Sequence, residues 1–503
     1  MKHTVLKFPE WMPDLPELDS PGLTEANDCL PVDTSYKPFL PIEPTGTAMA
    51  SRPYGSAALL DASGVAYVFA GESTQISMRE TAGWTLKGRA TAYALASTDY
   101  WRWAQFDDFA IATSHSDLPQ VLSLGTTGAF SDLSGSMGTA PSARQIGIIN
   151  RFVVLGDVTE PGGTATPHRI MWSGLDDHTQ WPLPGSSTAA SVQSGAQTFD
   201  ATYKEVTGVA NGEQSGVIFQ RGAIHRLTYI GGASVFQIDT IEKARGCICP
   251  NGMVQIGPVA YFPSADGFYL TDGVQVTPIG ANKVDNYFLD DLDSSYLYRV
   301  YGAVDYQNQN IYWAYPGSGN TSGRPNKILV YNYRDGRWTN CDQETEGIFA
   351  GLTFAVSLDD LDSYFSSVDL TTPSLDSSAW KGGNNLILGF DSSFVLGGFS
   401  ALAGTTVIET QEVQLTPDSL SFISGVKPQI QYDGEAPTVT VQVGYRNSLA
   451  DSVTWTSATS INSRSRYADF RVEARYAKVR LNITGAYTFA QGAEVVFGDG
   501  GRV

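Results

Sequence analysis

An all-β fold, a β-propeller of about six blades carrying an extended N-terminal arm and a C-terminal β-sandwich, is what this 503-residue sequence predicts. Three observations predict it: a turn-rich and charge-poor composition, hairpins recurring at a blade-like interval, and a change of strand texture near residue 405. Glycine (51), proline (25) and aromatics (11%) are plentiful while charged residues are only 17%, which suits short strands joined by tight turns. The length exceeds the roughly 250–300 residues at which single cores stop growing, so one large repetitive unit plus a smaller domain is expected.

Residues 1–45 read as an arm. Prolines at 9, 13, 16, 21, 31, 38 and 41 forbid a helix and remove sheet donors. Such a segment makes no core of its own, and its interleaved apolar residues must pack on another surface. Trp11, Leu15, Tyr36 and Phe39 are therefore the candidate subunit-interface residues, with a wrap around the chain's own body as the alternative.

Residues 46–405 read as the propeller. A strand, a Gly, Asp or Asn turn and a second strand recur at Ala66–Ile76, Ala104–Ala112, Ile146–Leu155, Gly216–Leu227, Val259–Leu270 and Ala303–Trp313. With Phe106, Ile148, Val217, Val259 and Val304 as corresponding positions, most intervals are roughly 40–45 residues, the length of a four-stranded blade. One longer gap, between Ile148 and Val217, holds segments 159–166 and 182–197, both rich in Gly, Ser, Thr and Pro, which read as loop insertions. Hairpins at 328–338 and 386–396 finish the ring. Closure also removes the edge strands that so many open sheets would expose. Two stacked β-sandwiches are the competing architecture.

Residues 406–503 alternate polar and apolar over longer strands (Val407–Leu415, Thr438–Tyr445, Tyr476–Ile483), the pattern of half-buried antiparallel strands in a β-sandwich. This part also carries Arg464, Arg466, Arg471, Arg475, Lys478 and Arg480, either a solvated strand face or a docking face for an acidic partner.

A formal charge of −20 argues against a groove that grips phosphate. It fits plain solubility, or a wall past which DNA slides. Residues 1–11 lack the apolar stretch of a signal peptide, and no run approaches ~18 apolar residues, so no membrane span is expected. Four scattered cysteines (29, 247, 249, 341) suit a reducing compartment.

No catalytic constellation emerges. The five histidines lack zincin spacing; His168 and His178 flank Asp176 and Asp177, more readily a hydrogen-bonded loop than a metal site. Phosphate-binding glycine loops and the GxSxG elbow are missing. A propeller glycosidase needs paired carboxylates, but Asp290, Asp291 and Asp293, or Asp359, Asp360 and Asp362, read as turn acids. Cys247-Ile248-Cys249 is not a CxxC pair. The expectation is a protein with no catalytic, metal or cofactor residues.

Several stretches together resemble the packaged-DNA stabilisation, or tail hub and nozzle, proteins of short-tailed bacteriophages. They are Pro13-Asp14-Leu15-Pro16 through Tyr36-Lys37-Pro38-Phe39, Trp103–Asp108, Arg151–Gly156, Arg169–Asp177, Ile218–Ile224, Arg245-Gly246-Cys247, Ala265–Tyr269 and Pro278–Val284. The resemblance covers about residues 8–340. It implies a non-enzymatic virion protein, synthesised in the host cytoplasm and assembled as a homo-hexameric ring below the portal and adaptor, with tail fibres or spikes as neighbours. Double-stranded DNA would be retained, then conducted, without sequence-specific binding. A tail-fibre adaptor or receptor-binding module is the alternative, and a propeller glycoside hydrolase a third.

Overall fold

The computed structural model describes all residues except 19, 81–82, 233, 353–384, 418 and 502–503. Strands dominate; the described α-helices are two short ones, Ser187–Val192 and Asp285–Asp291. Four-stranded antiparallel sheets follow one another along the chain at 55–86, 102–132, 142–198, 206–242 and 254–278. A further four-strand run, 301–342, is the start of a ten-stranded sheet. The last sheet has three strands from 347–399 and takes its fourth, Ile42–Pro44, from the arm.

The first strands of these units stand side by side. Gly55–Leu60 neighbours Arg102–Phe106, which neighbours Ser142–Ile149 and then Val206–Ala210; Val254–Ile256 neighbours Tyr301–Asp305 and then Gly347–Leu352. Gly347–Leu352 in turn lies against Gly55–Leu60, returning to the first sheet. This is the arrangement of a β-propeller. Separate apolar clusters fill the seams: Phe69, Trp101 and Phe130 between the first two sheets, Ile146, Val153 and Trp181 in the next, and Val68, Phe349 and Phe390 where last meets first.

Local sequence explains the hairpins. Ile149 pairs with Phe152 across Asn150 and Arg151, whose φ values of 45° and 64° match the twist of a two-residue hairpin turn. The spacing reading slips at one point, however. Phe106, Ile148 and Val304 lie in first strands, whereas Val217 and Val259 lie in second strands, Ser215–Gln220 and Val259–Ser264. Residues whose apolar strings look alike occupy different strands, because alternation reports burial and not position within a sheet. The expected insertion at 182–197 contains the helix Ser187–Val192 and most of the strand Gly195–Thr198, so it is partly ordered into the 142–198 sheet.

The arm is woven into three sheets. Lys2–Lys7 pairs with Phe489–Asp499; Glu25–Asn27 bridges Arg337–Asp342 and Thr405–Glu409; Ile42–Pro44 completes the last four-stranded sheet. Through Glu25–Asn27 the 301–342 sheet runs on into Thr405–Glu409, Tyr476–Thr484 and Thr438–Arg446. Ser421–Gln431, Ala468–Ala474 and Phe489–Asp499 belong to a six-stranded sheet with arm strands Lys2–Lys7, Cys29–Val32 and Ser35–Pro38. The two sheets share one core, in which Val441, Leu481 and Ile483 of one meet Val426, Ala490 and Val495 of the other.

Candidate functional site

The axis of the propeller and the seat of the arm are where polar chemistry gathers. At the turn end of the first strands, side-chain amides tie neighbouring sheets. Gln105 both accepts from Leu60 N (3.2 Å) and donates to Leu60 O; Gln255 accepts from Asn211 N and donates to Asn211 O, both at 2.8 Å. Asn211 Oδ1 in turn accepts from Ile148 N at 2.8 Å. Each amide satisfies backbone groups that an inner edge strand would leave open. Around these clamps lies a depression of about 1090 Å³, bordered by Asn150, Arg151, Ser215 and Asp272. Arg151 is held at its rim by Asp107 (2.9 Å) and Asp176.

At the opposite end, a second cavity of about 190 Å³ is lined by Gly55, Ser56, Arg102, Trp103, Gly302 and Glu346, among others. Both Glu346 oxygens are engaged, by Arg299 and by Arg324 at 2.6 Å. Close by in sequence and in the seam between the 102–132 and 142–198 sheets, two buried carboxylates flank one guanidinium: Arg144 is 3.9 Å from Asp99 and 3.5 Å from Asp157. Burial pushes the Asp157 carboxyl up to about 7, outweighing Arg144. Asp99 accepts from Ser116 Oγ at 2.7 Å, and Gln145 donates to the Tyr100 hydroxyl at 2.8 Å. Asp99, Arg144 and Asp157 thus form one polar cluster inside the seam. Sequence reading missed it, since Asp99, Arg144 and Asp157 come from three separated segments with no motif spacing.

The candidates taken from sequence are placed as follows. Trp11 is buried edge-on to Tyr287 with centroids 4.9 Å apart, and its indole donates to Thr24 O. Tyr36 is buried under the Arg337 guanidinium and donates to Pro9 O at 2.5 Å. Phe39 packs on Phe399 and Tyr312. These three side chains are thus enclosed by the chain's own body, and Leu15 is half-buried. Arg337 also donates to Ser35 O and Pro9 O, gripping two parts of the arm. Asp14 accepts from Asn286 N and Tyr287 N, both at 2.9 Å, capping the helix Asp285–Asp291, whose own N-cap residue Val284 has no side chain to do so.

His178 packs on Phe109 (4.3 Å) while His168 sits in the strand Ala165–Trp172. His225 is stacked on Phe199 and bonded to Gln220 and Thr240; burial pushes it down to about 4, so it is neutral. Asp291 pairs with Lys327, and Asp293 caps the 3-10 helix Ser294–Arg299. Asp359, Asp360 and Asp362 lie outside the described residues. The Cys247 thiol donates to Cys249 O, and burial pushes it up to about 12. Among the described residues no group of three His, Cys, Asp or Glu side chains is placed to hold a metal ion. Of the basic C-terminal residues, Arg464, Arg466 and Arg471 are exposed, but Lys478 is buried between Glu409 (2.6 Å) and Glu17 (2.9 Å), and Arg480 reaches Glu409 at 2.7 Å.

No family model matches the chain, and no curated protein is similar to it. A solved structure titled "Crystal Structure of Mitotic Checkpoint Complex" is similar at 9% identity and a TM-score of 0.36, over 64% of this chain and 91% of that one. That likeness is too slight to carry an argument, and the propeller assignment rests on the sheets themselves.

Proposed function

We propose that the chain is a non-enzymatic structural protein of a bacteriophage tail, the repeating subunit of a hub or nozzle ring that retains packaged DNA and conducts it at ejection. In this reading the seven four-strand units are the blades, within one of the about six that spacing suggested, and the arm supplies the fourth strand of the last. The C-terminal strands form a β-sandwich continuing one blade outward. The observation that carries the reading is the arm: it completes the last blade, crosses to the sandwich sheet and joins both into one body. A conduit wall under pressure from DNA needs that rigidity, and a chain of charge −20 does not grip phosphate. Neighbouring copies, portal, adaptor and fibres or spikes would meet the outer surfaces.

Electron microscopy of intact particles, with the mass of the purified protein, tests this. A six-fold ring on the tail axis is expected, and six times 54.1 kDa in solution or after assembly with the adaptor. An off-axis position, or absence from the particle, would rule it out. Exposed Val65, Leu183, Ile230 and Val274, all on turns that the strand order directs to one face, favour the second reading, an adaptor or receptor-binding module docking through that face.

A further inference from the structure

We infer that copies of this chain join head to tail through two strand edges: the outer propeller strand Phe236–Glu242 of one copy pairs with Ala468–Ala474 of the next. A strand at the rim of a sheet leaves every second N–H and C=O unpaired, and proteins blunt such rims. The propeller blunts the others. Its outermost strands Trp84–Leu86, Ser131–Asp132 and Gly195–Thr198 have three, two and four residues. Val276–Pro278 and Ile42–Pro44 have three and end in proline, and Arg337–Asp342 is covered by Glu25–Asn27. Phe236–Glu242 has seven residues, and among the described residues it pairs only with Ile224–Tyr229, in a regular ladder from Phe236 to Thr240. Ala468–Ala474 also has seven; it ends the six-stranded sheet and pairs only with Ser421–Gln431. The chain already fills propeller rims of its own in this way, with Ile42–Pro44 and Glu25–Asn27.

Burial and charge select the register. Gln237 and Asp239 share one face of their strand, where the Gln237 amide donates to Asp239, while Phe236, Ile238 and Thr240 line a groove of about 550 Å³ on the other. In the second strand Asp469, Arg471 and Glu473 are exposed and the residues alternating with them are buried. Cross-strand neighbours share a face, so charge stays in water only if Arg471 stands opposite Gln237, Asp239 or Ile241. In antiparallel pairing the first choice sets Asp469 against Asp239 and the third sets Glu473 against Asp239, both like charges. Opposite Asp239, Arg471 meets a carboxylate, Glu473 meets Gln237, and Ile238 meets Val472. Arg471 is free to do so, having no ion pair or hydrogen bond among the described residues. Because the two strands are different parts of the chain, the contact is heterologous, the kind that closes into rings. The inference rests on the ring reading above and supplies the contact that Trp11, Tyr36 and Phe39, enclosed in their own body, do not.

Two variants of the full chain test it, Asp239→Cys and Arg471→Cys, the four native cysteines being buried. Oxidised as a mixture they should give a disulfide-linked pair that neither gives alone, because only the mixture sets two introduced thiols opposite each other. Arg471→Asp should weaken each contact by up to about tenfold in sedimentation, and adding Asp239→Arg should restore it. A mixture with no link overturns the inference. So does a link formed by Asp239→Cys alone, since the strand then pairs with its own copy, and so does assembly that neither charge variant moves. A ring on the tail axis without the mixed link would remove this contact and leave the conduit reading standing; a mixed link with no ring in the particle would support the contact and remove that reading.

Discussion

The seams between propeller sheets and the joint that carries the C-terminal strands solve the same problem by different means. The seams are filled by apolar side chains, with neutral amides such as Gln105 and Gln255 closing backbone groups at the axis. At the joint, charge is taken inside. Arg446 forks onto Glu412, which is fully buried, and Lys478 and Arg480 converge on Glu409 under the face of Trp455. A seam repeated around a ring has its geometry set by closure, so non-directional packing suffices. The joint occurs once and has no ring to fix it. Paired charges there penalise every other register, at little or no gain in stability over an apolar joint.

The largest test of this contrast removes one half of a joint pair. Glu412→Ala removes the buried partner of Arg446, whose guanidinium then keeps only the Leu449 and Asp451 carbonyls, and urea unfolding should show a loss of up to about 3 kcal/mol. Replacing both residues by leucine should recover most of that loss. A double variant as unstable as the single one would show that the pair contributes stability and not only register.

Asp157 is one exception, a charge placed in a propeller seam, and pH reports on it. Its carboxyl titrates near 7 in the folded chain against about 4 when unfolded, so the folded state binds the proton more tightly. Stability from this group is full at pH 4 and below, and falls as pH rises from 4 through 7. Asp157→Asn should flatten that slope and raise stability at pH 8 by on the order of 3 kcal/mol. An unchanged pH profile would mean that Arg144 keeps the carboxylate ionised throughout.

Gln105→Ala removes both bonds to Leu60 in a partly exposed place and should cost about 1–2 kcal/mol, with hydrogen exchange accelerated at Leu60. Gln255→Ala should act alike at Asn211. If either variant is silent, apolar packing alone holds the seams. The smallest effect is expected from Asp14→Ala, which uncaps the helix Asp285–Asp291 at about 1 kcal/mol. Faster proteolysis within the arm would accompany it if Asp14 also anchors the arm.

Much of the propeller could be read from residues 66–112 and 146–155, where each strand's apolar string and its turn residue are adjacent in the chain and act locally. The arm was legible as proline-rich and extended, and its aromatics as buried somewhere. Their destinations were not: Trp11 meets Tyr287, and Phe39 meets Phe399, across hundreds of residues. The blade register slipped at Val217 and Val259 for the same reason, since a strand's place in a sheet is set by partners far along the chain. The polar sites were hidden more deeply. Asp157 looks like any acid until Asp99 and Arg144 close on it.

By itself the sequence determined what depends on near neighbours: β structure from alternation and turn residues, and extension of the arm from its prolines. Only the tertiary structure decided that the arm supplies a strand to the propeller, and which charges are buried and matched. The physical reason is that strand propensity and turn geometry are properties of a few consecutive residues, whereas sheet order, desolvation and ion pairing depend on which distant segments the folded chain brings together.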